Sequence, residues 1–157
     1  MIADEFLGEI RVYQRIQQHP HPNLVELKGC LQKNGRIIRA LLKRYSITLS
    51  TRVEGYHQAL FNTTSYLASI EAGTKHLHDL RFAHNNLNFE NILLDEQDRR
   101  VIIDMGSAKR FREELSQIGM PDFNDGFVEV SSKVNDEVGL NKVKDWLLDC
   151  KGKKVLS

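Results

Sequence analysis

Asn91 and Asp104 are the residues whose types and placement point most directly to chemistry, one offering an amide oxygen and the other a carboxylate. They stand at the outer ends of two short apolar runs, residues 92–94 and 101–103, which flank the polar turn 95–100. That pattern predicts a β-hairpin, and a hairpin would set its outer ends side by side. An amide oxygen beside a carboxylate suits a hard cation such as Mg²⁺. The whole stretch 84–108, HNNLNFENILLDEQDRRVIIDMGSA, is where several useful polar residues meet at a spacing with a mechanism.

Elements on both sides must position this stretch. Residues 3–18 predict an amphipathic helix, with Phe6, Ile10, Tyr13 and Ile16 or Gln17 on one face and a break at His19-Pro20-His21-Pro22. Runs 24–31 and 36–42 predict two strands joined through Lys33-Asn34-Gly35, since Asn-Gly is a strong hairpin signal. Two strands alone are marginal, so Ile37 and Leu41 are expected to stay uncovered unless something packs on them. A short helix is expected over 49–60, then an N-cap cluster at 62–65. A firm helix follows over 66–80, with Leu67, Ile70, Thr74 and Leu77 facing a core.

Residues 107–132, polar and rich in Gly, Pro and Asp, predict a long flexible segment. Within it, the basic run 109–112 could meet an acidic partner or a phosphate, or simply be a solvated face, and Ser131 and Ser132 could accept phosphate. A last amphipathic helix is expected over 135–150, with Leu140, Val143, Trp146, Leu147 and Cys150 inward, Asp136 near its positive end and a stop at 151–154. The fold class is α+β.

The 157 residues suit one domain or slightly less, and 41% hydrophobic with 27% charged residues is ordinary for a globular chain. A net charge of +1 favours neither nucleic acid nor an anionic membrane as partner. Cys30 and Cys150 lack metal spacing, the six histidines form no ligand set, and no apolar run is long enough to span a membrane. Reduced thiols and a cytoplasmic location, with a nuclear one as alternative, are the expectation.

The order H-N-N-L-x-x-E-N, hairpin, I-I-D-M-G resembles the catalytic core of the eukaryotic protein kinases, with their H-R-D-x-x-x-x-N and D-F-G. The likeness is nearest to a group of short fungal kinase-like proteins that carry His-Asn-Asp and end soon after a stretch like 135–148. It implies a partial two-lobed fold, with residues 1–45 as a remnant small lobe and 46–157 as a shortened large lobe. On it, His84 is the loop-holding histidine, Asn91 and Asp104 are the metal ligands, and Lys43, Arg44 and Tyr45 form the hinge whose backbone would meet adenine. Glu9 falls on the glutamate that pairs with an ATP-positioning lysine. No G-x-G-x-x-G loop, V-A-I-K lysine or A-P-E is found in this sequence, so Glu9 is expected to be an orphan or a plain solvated charge.

Two departures bear on activity. Asn86 stands on the catalytic Asp, and an amide cannot take a proton near neutral pH, where general base catalysis is worth roughly 10²- to 10⁴-fold in rate. Asn88 stands on the lysine that steadies the transferred phosphate. The first expectation is therefore a pseudokinase-like protein with lost or weak phosphotransfer, acting by binding another protein through the small-lobe hairpin or the activation-like loop. The second is an active transferase, a protein serine/threonine kinase or related phosphotransferase using Mg²⁺ and ATP. The third is a truncated, non-functional fragment.

Overall fold

The computed structural model describes residues 2–55, 62–115 and 130–153. Helix α1 (Ile2–Gln18) begins with Asp4 and Glu5 and ends with Arg15 in its last turn, charges that complement the helix dipole. It buries Ile10, Val12, Tyr13 and Ile16, while Phe6 is half-buried. Strands β1 (Leu27–Lys33) and β2 (Arg36–Leu42) pair antiparallel. Their turn places Asn34 and Gly35 at φ 52° and 73°, the left-handed pair that a tight hairpin of native twist requires. Leu31, Ile38, Leu41 and Leu42 are exposed on this hairpin, and Ile37 is half-buried.

After β3 (Ile47–Thr48) comes α2 (Leu49–Gly55), and the rest of the expected 49–60 helix lies outside the described residues. Helix α3 (Thr63–Asp79) is capped by Asn62, whose side chain accepts the Ser65 N–H at 3.0 Å. Its buried face carries Tyr66, Ile70, Gly73, Thr74 and Leu77, with Leu67 half-buried beside them. Strand β4 (Phe82–Ala83) and a 3₁₀ turn (Phe89–Asn91) bracket the loop of interest. Strands β5 (Ile92–Leu94) and β6 (Arg100–Ile102) then form the expected hairpin, shifted by one residue so that Arg100 enters the ladder and Ile103 leaves it. The tight turn causes the shift: Asp95 N–H bonds Arg99 O, and Asp98 bends at φ 60°.

The described ends of the segment after Gly106 carry regular structure that composition did not predict. A 3₁₀ turn (Met105–Ser107) leads into β7 (Lys109–Arg110), which pairs with β4, and Glu114 bridges back to Val130. The intervening 116–129 lie outside the described residues. Helix α4 (Lys133–Lys153) buries Val143 and Leu147, with Leu140, Trp146 and Cys150 half-buried against the core. Its described end, Lys153, falls within the expected stop at 151–154.

One core crosses position 45. Residues 23–25 bond along β6, with Val25 N–H to Ile102 O at 3.0 Å and Ile102 N–H to Asn23 O at 2.9 Å. Helix α1 packs on Met105–Ser107, and α3 packs on β4, β6 and α4.

At Gly139 in α4, a Cβ would lie 2.4 Å from the Leu87 carbonyl oxygen, whereas at Gly8 in α1 it would meet nothing within 4 Å. Gly139→Ala is therefore expected to lower unfolding stability by about 1–3 kcal/mol, and Gly8→Ala to raise it by about 0.5–1 kcal/mol. Urea titration of the two variants checks the opposite signs.

Candidate functional site

The loop from His84 to Asn91 has no ladder of its own before its 3₁₀ turn, so its backbone must be held by side chains. Asp136, in the first turn of α4, is fully buried. Its carboxylate accepts the backbone N–H of His84 at 2.9 Å and of Asn85 at 2.8 Å, and meets His78 Nε2 at 2.7 Å. The sequence marked Asp136 only as a charge near a helix start; what it holds lies more than fifty residues upstream.

His84 is buried, as expected of a loop-holding residue. Its Nε2 donates to Ile103 O at 2.8 Å and its Nδ1 accepts the Asn86 N–H at 3.3 Å, contacts that fit the tautomer with the proton on Nε2. Asn85, at φ 62°, is also buried. Its amide nitrogen faces three oxygens at 3.0 Å, those of Ala83, Ser107 and the Ser131 hydroxyl, and its own oxygen accepts Asn135 Nδ2 at 2.9 Å. One neutral side chain thus ties both ends of the 107–131 segment to the loop.

Ser131, which as a loop serine could accept phosphate, is buried, with its hydroxyl donating to Lys109 O at 3.0 Å. It is enclosed because Arg112 and Glu113 pair with its backbone at 2.8 Å each. Ser132 is half-buried and bonds Asn135.

Asn86 is half-buried; its backbone carbonyl accepts Asn91 Nδ2 at 2.9 Å and Asn88 Nδ2 at 3.1 Å. Asn88 does not stand out from the loop as a phosphate-steadying lysine would. It is buried, and its oxygen caps the 3₁₀ turn by accepting the N–H groups of Glu90 at 2.9 Å and Asn91 at 3.2 Å. A short polar side chain caps well.

With its nitrogen committed to Asn86, Asn91 keeps its amide oxygen as the acceptor. The Ile103 N–H bonds Asn91 O at 2.9 Å, which ties the hairpin's ends together next to Asp104. Asp104 is exposed, and one of its oxygens accepts the Gly106 N–H at 3.1 Å. Among the described residues, no three His, Cys, Asp or Glu side chains gather as a metal cage. Asn91 and Asp104 are hard oxygen donors, and two of them suit a Mg²⁺ that arrives with phosphate oxygens and water better than a bare structural ion.

Glu9 is half-buried and not a plain solvated charge: Tyr13 donates its hydroxyl to Glu9 Oε1 at 2.8 Å. At the expected hinge, Lys43 N–H bonds Glu26 O at 2.9 Å, and the Lys43 ammonium sits 5.6 Å from the Tyr45 ring centroid. Burial pushes the Tyr45 hydroxyl pKa up. Lys43 and Tyr45 line a cavity of about 460 Å³ with Leu24, Val25, Asp95 and Arg99, while Arg44 is exposed. A second cavity, of about 690 Å³, lies between α1 and the strand after Gly106. Neither of these two includes Asn91 or Asp104.

Residues 2–125 match the family described as the protein kinase domain. The chain belongs to the protein kinase family. It is 25% identical over 151 residues to serine/threonine-protein kinase N2 of Danio rerio, covering 92% of this chain and 14% of that protein. It is 30% identical over 132 residues to serine/threonine-protein kinase AtPK1/AtPK6 of Arabidopsis thaliana, covering 80% and 27%. Among solved structures it resembles the Cydia pomonella granulovirus kinase PK-1, with a TM-score of 0.72 at 18% identity, over 89% of this chain and 53% of that one. That likeness shows the fold, a partial kinase domain of mixed helices and small sheets. The chain spans about a quarter or less of the length of these two kinase relatives. The family as a whole works with Mg²⁺ and ATP.

Two outcomes follow from the kinase loop's supports. Asp136→Asn would turn an NH₂ group toward a buried N–H, and is expected to cost about 2–4 kcal/mol of unfolding stability in urea. At Asp95, burial pushes the carboxyl pKa up, but bonds from Arg99 and from the Gln97 N–H outweigh this and leave it below the usual carboxylate range. Its contribution is complete above the unfolded pKa of about 3.9 and is lost as pH falls through the lower folded value. The stability gap between wild type and Asp95→Asn should therefore narrow below about pH 4.

Proposed function

We propose that this kinase-family chain has lost or weak phosphotransfer and works by binding another protein. The observation that carries the reading is Asn86: on the resemblance, an amide stands where the family has its proton-accepting carboxylate. An amide can orient a hydroxyl but cannot accept its proton. Phosphoryl transfer relies almost wholly on positioning and electrostatic stabilisation, and Asn88, turned inward as a cap, adds no positive charge there. In this reading the chain is cytoplasmic and akin to the short fungal kinase-like proteins. Its partner-binding surface is the β1–β2 hairpin, whose Leu31, Ile38, Leu41 and Leu42 are exposed, or the segment after Gly106.

The second reading, an active serine/threonine kinase, is favoured by one feature: Asn91 and Asp104 keep oxygens able to receive a Mg²⁺–nucleotide. Asn91 and Asp104 would hold the ion, Lys43 to Tyr45 would offer hinge backbone to the base, and Asn86 could only orient the acceptor hydroxyl.

Phosphotransfer by wild type and Asn86→Asp, each with Mg²⁺-ATP and a generic basic protein substrate, separates the two readings. The proposal expects a wild-type rate at background, with Asn86→Asp faster by about 10²- to 10⁴-fold. A wild-type rate well above background and equal to that of Asn86→Asp contradicts it. A thermal shift at millimolar Mg²⁺-ATP reports binding apart from turnover, because a ligand that binds only the folded state must stabilise it.

A further inference from the structure

Tyr13 joins two parts of the chain that lie 92 residues apart. Its hydroxyl donates to Glu9 Oε1 at 2.8 Å and accepts the Met105 N–H at 3.3 Å. Tyr13 and Met105 are both buried, so no solvent water stands ready to replace that acceptor. The N–H belongs to the peptide that follows Asp104, whose backbone is left-handed at φ 60°, ψ 81°. Residues other than glycine adopt that region rarely and hold it when their surroundings over-determine it. The ψ angle of Asp104 sets where the Met105 N–H points, so pinning that N–H also pins Asp104.

We propose that Tyr13 is a positioning residue for Asp104: its hydroxyl, oriented by Glu9, locks the Asp104–Met105 peptide in the orientation that leaves the Asp104 carboxylate facing outward. The functional meaning of the lock rests on Asp104 being a metal ligand, as read above. Two bonds clamp the kink. One is local, from the Gly106 N–H to the Asp104 carboxylate at 3.1 Å; the other is the long-range one from Tyr13. Phenylalanine would fill the same space but leave a buried N–H without an acceptor. The order N–H to hydroxyl to carboxylate polarises each bond through the next. Burial, reinforced by the Glu9 charge, keeps the Tyr13 hydroxyl protonated and able to donate.

The test is amide hydrogen exchange on the full chain, read residue by residue by NMR, alongside titration with Mn²⁺ in the presence of ADP. In Tyr13→Phe the Met105 amide should exchange about tenfold faster or more, while those of Ile70 and Leu77 stay within about twofold of wild type. Mn²⁺–ADP binding should weaken about fivefold, the equivalent of one neutral hydrogen bond. Glu9→Ala, a change that helices tolerate, should also speed Met105 exchange, and Glu9→Gln, which keeps an acceptor oxygen, should restore protection. It decides the matter if Tyr13→Phe does not fold. Met105 exchange at the wild-type rate in Tyr13→Phe, or in Glu9→Ala where that stands in, overturns the proposal. Wild type that binds no Mn²⁺–ADP removes the metal reading of Asp104, while Met105 exchange still decides the role of Tyr13.

Discussion

The buried Asp136 carboxylate, with the backbone N–H groups of His84 and Asn85 and the imidazole of His78 around it, is the interaction on which the site depends. It fastens the start of the loop to α4 and α3 at once. Hydrogen bonds to a charged group are worth about 1.5–3 kcal/mol each, a large share of the 5–15 kcal/mol that keeps a typical domain folded. Steric fit completes the attachment, since Gly139 lets the α4 backbone approach Leu87 where no Cβ could enter.

Around the anchor, the loop is stitched by neutral amides. Asn85 links the 84–91 loop to both ends of the 107–131 segment, Asn88 caps the 3₁₀ turn, and Asn91 bonds the Asn86 carbonyl. Such a network satisfies its own donors and acceptors with no charge at Asn85, Asn86 or Asn88. Holding the loop in place thus needs no charged side chain at positions 85, 86 or 88.

Local chemistry was legible in the sequence. The α1 periodicity, the Asn34-Gly35 turn, the Asn62 cap and the 92–103 hairpin each depend on residues a few positions apart. The order of the site motifs also sufficed for the fold, because the hairpin and its flanking helices are what a kinase core is made of. Long-range partners were not legible. Asp136 looked like a helix-start charge, Glu9 like a plain solvated charge and Ser131 like a loop serine, and each is defined by contacts that sequence spacing does not encode. Asn88 was readable as a lost lysine, but not as the residue that caps the turn carrying Asn91.

The most direct measurement of the central claim is a pH–rate profile for wild-type phosphotransfer at saturating Mg²⁺-ATP. A loop holding an amide in place of a carboxylate has nothing to titrate there, so the account predicts a residual rate at background, flat from about pH 5 to 9. Brisk turnover that climbs through a single ionisation, and disappears when Asp104 is changed to Ala, would contradict it.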